Sequence, residues 1–154
     1  MADQTQDRVL TIERYFDTPP SQLFQAWVDP ARHRLWMGPK GVQVVEQKLD
    51  PRPGGVFDVM MENAEGQRHH VRGEYKEVVS GKRLVFTFAW VHDGERGHET
   101  VVKVDFQAEG DGTKLRLTQE LFETEESRDH HNEGWSGSLD RLEELTVGAQ
   151  AAAS

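Results

Sequence analysis

Between residues 41 and 121 apolar and polar positions alternate with period two, broken only at turn-forming residues. The runs are 42–50, 55–63, 67–79, 82–91, 99–108 and 113–121. The breaks fall at Pro51-Arg52-Pro53-Gly54, Ala64-Glu65-Gly66, Ser80-Gly81, Asp93-Gly94-Glu95-Arg96-Gly97 and Glu109-Gly110-Asp111-Gly112. Gly and Asp at such breaks supply hairpin loops, so this stretch predicts an antiparallel meander. Parity assigns one apolar face: Phe57, Val59 and Met61; Val71, Gly73 and Tyr75; Leu84, Phe86, Phe88 and Trp90; Val102, Val104 and Phe106; Leu115, Leu117 and Leu121. The opposite parity carries Glu74, Lys76, Arg83, Lys103, Asp105, Lys114 and Arg116, a solvated face.

A further strand is expected at residues 8–17, where Leu10, Ile12, Arg14 and Phe16 share one side. Thr18-Pro19-Pro20-Ser21 then offers an N-cap and a first-turn proline, and Leu23, Phe24 and Trp27 follow at helical spacing. Asp29-Pro30 repeats the device for a second short helix carrying Leu35 and Trp36. The last element, 125–147, returns to helical period: Thr124 caps it, Glu125 and Glu126 suit its positive end, and Trp135, Leu139, Leu142 and Leu145 form an apolar stripe. Gly134 and Gly137 inside this helix cost about 1 kcal/mol each relative to alanine, and make sense where something approaches the helix closely or bends it. The ends, 1–7 and 148–154, are expected to be flexible, leaving a single domain over 8–147.

That order of elements predicts an α+β fold: a seven-stranded curved antiparallel sheet around a long C-terminal helix, with two short helices after the first strand. One helix roughly 10–12 Å across does not fill such a sheet, so an apolar cavity is expected between sheet and helices. Its expected lining is Trp27, Leu35, Trp36, Phe57, Val59, Met61, Tyr75, Phe86, Phe88, Trp90, Trp135 and Leu139, with Arg14, His69, Glu77 and Gln119 as polar candidates. Arg14 on an apolar face demands either a carboxylate partner or the polar end of a ligand.

Several short segments, taken in order, carry a family resemblance. They are Ile12-x-Arg14-x-Phe16, Ala26-Trp27 with Asp29-Pro30, Trp36-x-x-Pro39, and Asp50-x-Arg52-x-Gly54-Gly55-x-Phe57 with Met61. Gly73-x-Tyr75-x-Glu77-Val78, Arg83-Leu84-x-Phe86-x-Phe88 and Gly134-Trp135 followed by Leu139-x-x-Leu142 complete the set. Over residues 8–147 the chain resembles the family named after the C-terminal domain of the activator of heat-shock protein 90 ATPase, within the START/Bet v 1 superfamily. The resemblance implies a helix-grip fold. Related branches of that superfamily include lipid carriers, polyketide cyclases and aromatases, and hormone receptors, so the fold by itself selects no function.

Composition removes several classes of chemistry. The chain of 154 residues has no cysteine, which excludes disulfides, zinc–thiolate sites and thiol nucleophiles. A net charge of −9 is the wrong sign for a nucleic-acid binder. The acid is local: residues 120–144 hold nine carboxylates against Arg128 and Arg141, which makes the outer face of the last helix a candidate protein-binding surface. No long apolar run or signal-like start is present, so a cytoplasmic protein without a membrane span is expected. Adjacent histidines (His69-His70, His130-His131) do not face one centre, so no metal site is expected, and no cofactor. Gly134-Trp135-Ser136-Gly137-Ser138 misplaces the glycines of a nucleophile elbow, and no catalytic constellation is visible. A hydrophobic-ligand-binding protein therefore leads, ahead of a chaperone-associated or stress-response interaction module and a cyclase-like enzyme using the same cavity.

Overall fold

A computed structural model describes residues 9–38, 41–92 and 94–153. The expected flexible start, residues 1–7, and Ser154 lie outside the described residues. The elements in chain order are β1 (Leu10–Phe16), α1 (Pro20–Val28), α2 (Pro30–His33), β2 (Gln43–Leu49), β3 (Val56–Glu62), β4 (Arg68–Val79), β5 (Arg83–His92), β6 (Glu95–Arg96), β7 (Thr100–Glu109), β8 (Gly112–Glu120) and α3 (Glu125–Ala153). The long strands form one antiparallel sheet in the order β1-β8-β7-β5-β4-β3-β2, and the two-residue β6 pairs with β5. Local hairpins build most of it. The exception is β1, which crosses the molecule to pair with β8, placing Ile12 opposite Leu117 and Arg14 opposite Leu115. The sheet curls around α3 in the helix-grip arrangement.

Cap chemistry explains the helix starts, with one change from expectation. Asp29 accepts from the Ala31 amide and starts α2, and the Thr124 hydroxyl accepts from the Ser127 amide at 3.0 Å at the start of α3. Thr18 does not cap α1; Pro20 occupies its first turn, and the Thr18 carbonyl instead accepts from the buried Thr113 hydroxyl at 2.7 Å. The α2 helix ends at His33, so Leu35 and Trp36 sit in the turn that follows. Past Val147 the backbone stays helical through the alanine-rich end to Ala153.

The core fills the closed end of the curl. Trp27 of α1 meets Trp36 at 4.6 Å between ring centroids and stacks on Trp135 of α3 at 5.9 Å. Phe57 stacks on Phe86 at 4.7 Å, with Tyr75 edge-on to Phe57. Leu139 and Leu142, four-residue neighbours of the Trp135 and Ser138 positions, are fully buried against the sheet. Arg14 reaches across to α3 and pairs with Asp140 at 2.7 Å, with Glu143 at 3.8 Å. That ion pair ties the edge strand to the helix.

Candidate functional site

A cavity of about 600 Å³ opens between the first half of α3, the ends of β3, β4 and β5 that lie over it, and the turn after α2. Its floor is apolar and buried: Met37 from the turn, Met61 from β3, Phe88 from β5 and Trp135 from α3. The wall rises through Trp90, which stands edge-on to Phe88 at 5.4 Å. Exposed polar residues make the mouth, namely His69, Thr124, Glu126 and His130. Strand alternation supplies Phe88 and Trp90, two residues apart on the inner face of β5. Helical spacing supplies Ser127, His131, Gly134, Trp135 and Ser138, which share one side of α3.

Hydrogen bonds fix the orientation of this wall. The Trp135 indole donates to Gln119 Oε1 at 2.8 Å, Gln119 Nε2 donates to the Thr100 hydroxyl at 2.8 Å, and that hydroxyl donates to the Phe88 carbonyl at 2.9 Å. Gln119 is therefore spent beneath the floor and does not face the cavity. On the other wall the Trp90 indole donates to His131 Nε2 at 2.9 Å, while His131 Nδ1 lies 2.7 Å from the Ser127 carbonyl. An indole N–H only donates, so Nε2 must accept and Nδ1 must carry the proton. His131 is thus a neutral wall residue with both nitrogens engaged, and burial holds its pKa below the ordinary imidazole value. Ser138 donates to the Gly134 carbonyl and accepts from the Gly38 amide at 3.0 Å, joining α3 to the lip formed by the turn.

Of the residues the sequence pointed to, Met61, His69, Phe88, Trp90 and Trp135 come together around this cavity. Trp27, Trp36, Phe57, Val59, Tyr75, Phe86 and Leu139 instead lie buried in the closed end of the curl, where α1 and the turn fill the space. Leu35 is corrected outright: it is 55% exposed, because α2 stops before it and Trp36 takes the inward position, its indole donating to the Ala26 carbonyl at 2.9 Å. Arg14 faces α3's carboxylates rather than a ligand space. Glu77 points out toward Arg83, at 3.6 Å, because a bulge between Tyr75 and Glu77 shifts the register of β4 on β5 and reverses the inward parity. The Tyr75 hydroxyl is buried without a hydrogen-bond partner among the described residues, and burial pushes its pKa well above the phenol's usual value.

Sequence reasoning missed the polar part of the lining. Ser127, His131, Gly134 and Ser138 continue the Trp135–Leu139 stripe toward the start of α3, but a stripe drawn on apolar residues stops at Trp135. Helical spacing alone, ignoring polarity, was the available signal. Among the described residues no group of three or more His, Asp or Glu side chains converges as a metal site. No helix among them is long and apolar enough to cross a membrane.

The curled sheet gripping a helix is shared by solved structures similar to this chain. The AHSA1 protein of Silicibacter pomeroyi is 34% identical, with 91% of this chain and 99% of that one covered and a TM-score of 0.83. Protein NE0264 of Nitrosomonas europaea is 26% identical, covering 94% and 97% with a TM-score of 0.81, and protein CV1439 of Chromobacterium violaceum is 25% identical, covering 90% and 96% with a TM-score of 0.83. A comparison with curated proteins finds no match. The family model described as "Activator of Hsp90 ATPase homolog 1-like protein" matches residues 17–146, which contain both short helices, all strands after β1 and the helix as far as Thr146. On that match, and on the shared fold, the chain belongs to the activator of Hsp90 ATPase homolog 1-like family.

Proposed function

We propose that this protein binds a small, largely apolar molecule in the cavity between α3 and the ends of β3 to β5. The observation that carries the reading is the gradient from a buried apolar floor (Met37, Met61, Phe88, Trp135) to a polar mouth (His69, Glu126, His130) in a space of about 600 Å³. Cavities of roughly 300–1,000 Å³ with mostly apolar walls and a few polar groups are the usual form of small-molecule sites. The floor drives binding by releasing water from apolar surface, and the mouth leaves the polar end of the ligand hydrated. The three histidines of the lining differ in role: His69 and His130 are exposed at the mouth, and His131 is locked by Trp90 and Ser127. Carriage or sensing fits such a wall better than turnover, since His131 has no free nitrogen with which to take a proton.

The test is a titration of intrinsic fluorescence with long-chain alcohols, sterols and polycyclic aromatic compounds, alongside native mass spectrometry of the protein as isolated. Trp90 and Trp135 line the cavity, so a ligand there changes their emission with saturation at one molecule per chain. Silence across all three classes, together with a bare polypeptide mass, refutes the reading.

A further inference from the structure

Gly134 lies inside α3, where glycine is among the least favourable residues for a helix. Among the described residues nothing explains it by close packing: a Cβ built there meets no atom within 4 Å beyond the helix's own backbone, although the residue lines the cavity. The space in front of the Gly134 backbone is open toward the cavity. Around it stand the π-faces and edges of Phe88, Trp90 and Trp135 and the thioethers of Met37 and Met61, groups that attract aromatic rings beyond their apolar area.

The charges around the cavity disfavour an anion. Among the described residues its lining holds one carboxylate, Glu126, and no lysine or arginine. The positive end of α3 also opens here, but Thr124 caps it and Glu125 and Glu126 already place carboxylates on its first turn. His131 brings no charge, being held neutral between Trp90 and Ser127. A carboxylate or sulfonate entering the floor would lose its water and gain no countercharge.

Resting on the reading of the cavity as a ligand site, we propose that its occupant is an uncharged, flat aromatic molecule seated against the backbone of Gly134, with Glu126 at the mouth repelling anions. Gly134 and Glu126 are then the specificity-determining positions, one through shape and one through charge. Alanine at position 134 projects a methyl group into the seat of the ring while strengthening the helix, so binding and stability move in opposite directions.

The experiment uses two dyes on the same ring system, the neutral N-phenyl-1-naphthylamine and its sulfonate, 1-anilinonaphthalene-8-sulfonate, titrated by fluorescence at pH 8, where an ordinary imidazole is uncharged. The neutral dye is expected to bind about tenfold more tightly than the sulfonate, the burial cost of an uncompensated anion. Glu126→Gln improves sulfonate binding by about threefold, the size of one half-screened charge interaction, and leaves the neutral dye unchanged. Gly134→Ala weakens the neutral dye by about fivefold through overpacking and raises Tm by roughly 2–4 °C through helix propensity.

Equal or preferential binding of the sulfonate overturns the proposal. So does sulfonate rejection that persists unchanged in Glu126→Gln, which assigns it to bulk. Unaltered affinity or a lowered Tm in Gly134→Ala overturns the seat at Gly134. Preference for a long-chain alcohol or sterol over the neutral dye overturns the aromatic class while the cavity reading stands, and silence of every apolar ligand overturns both.

Discussion

Arg141 leaves α3 to hold the turn that forms one lip of the cavity. Its guanidinium donates to the carbonyls of Gly38 at 2.8 Å, Val42 at 2.9 Å and Leu35 at 3.1 Å, and lies 3.4 Å from that of Met37. A turn of this length has no ladder to satisfy its carbonyls, and a planar fork of N–H donors satisfies several at once. Lysine has the charge without the fork. Arg141→Lys is therefore expected to cost about 2 kcal/mol, the range for hydrogen bonds to a charged donor, and Arg141→Ala more. Urea unfolding measures the loss, and amide exchange locates it: residues 35–38 should exchange faster while the sheet keeps its protection. Uniformly faster exchange would make Arg141 a general stabiliser and not the anchor of the lip.

At the scale of elements, the ladder between β4 and β5 is interrupted at Gly73. Their register is regular from His70↔Val91 to Tyr75↔Phe86, but between Arg72↔Ala89 and that pair the ladder opens, and the Glu74 amide donates to the Thr87 hydroxyl at 2.9 Å in place of a backbone carbonyl. Gly73 makes the approach possible, since a Cβ there would stand 1.8 Å from the Thr87 carbonyl oxygen. Gly73→Ala should then cost about 3 kcal/mol, the upper part of the range for forced overpacking, whereas Thr87→Val, which removes only the substitute acceptor, costs about 1–2 kcal/mol. Equilibrium unfolding of the two variants checks the order; a mild Gly73→Ala would mean that the two strands part freely at this point. Gly73 also shows what the sequence could and could not disclose. Period-two alternation identified its strand and its inward face, and placed Phe88 and Trp90 correctly on β5. The bulge one turn later, after Tyr75, has no local signature in Lys76-Glu77, so Glu77 was assigned inward when it faces Arg83. The same limit applies to α3: Trp135, Leu139 and Leu142 announce a buried stripe, but its extension through Ser138, Gly134, His131 and Ser127 is polar or bare and acquires meaning only once a cavity lies in front of it.

Across the whole molecule most of the acid lies on the surface while His33 and His131 are held neutral by burial, and this division sets how the fold responds to pH. His33 is 1% exposed, edge-on to Trp36 and Phe57, with the Gln47 side-chain oxygen 3.4 Å from its Nδ1. Burial drives its pKa from 6.5 down to about 4, against a smaller opposing contribution from Gln47. The unfolded chain takes up this proton near its ordinary pKa, while the folded chain refuses it until about pH 4. Stability from His33 is thus complete above pH 6.5 and is lost as pH falls through the interval down to about 4. Between pH 7.5 and pH 4.5 the loss is on the order of 2–3 kcal/mol, at about 1.4 kcal/mol per unit of pKa difference. His131, also held below its usual value by burial, acts in the same direction. Relief of the repulsion within a net charge of −9 acts in the opposite one, favouring the fold as acid neutralises carboxylates. The two effects separate by substitution: His33→Leu, which keeps an apolar group among Trp36 and Phe57, should flatten the slope of unfolding free energy between pH 7.5 and 4.5 while leaving the surface charge intact. Urea titrations of both proteins at matched ionic strength measure it. An unchanged slope in His33→Leu would take the acid sensitivity away from His33, and a steeper slope in the native chain than in the variant places it at His33, in the closed end of the curl beside Trp36 and Phe57.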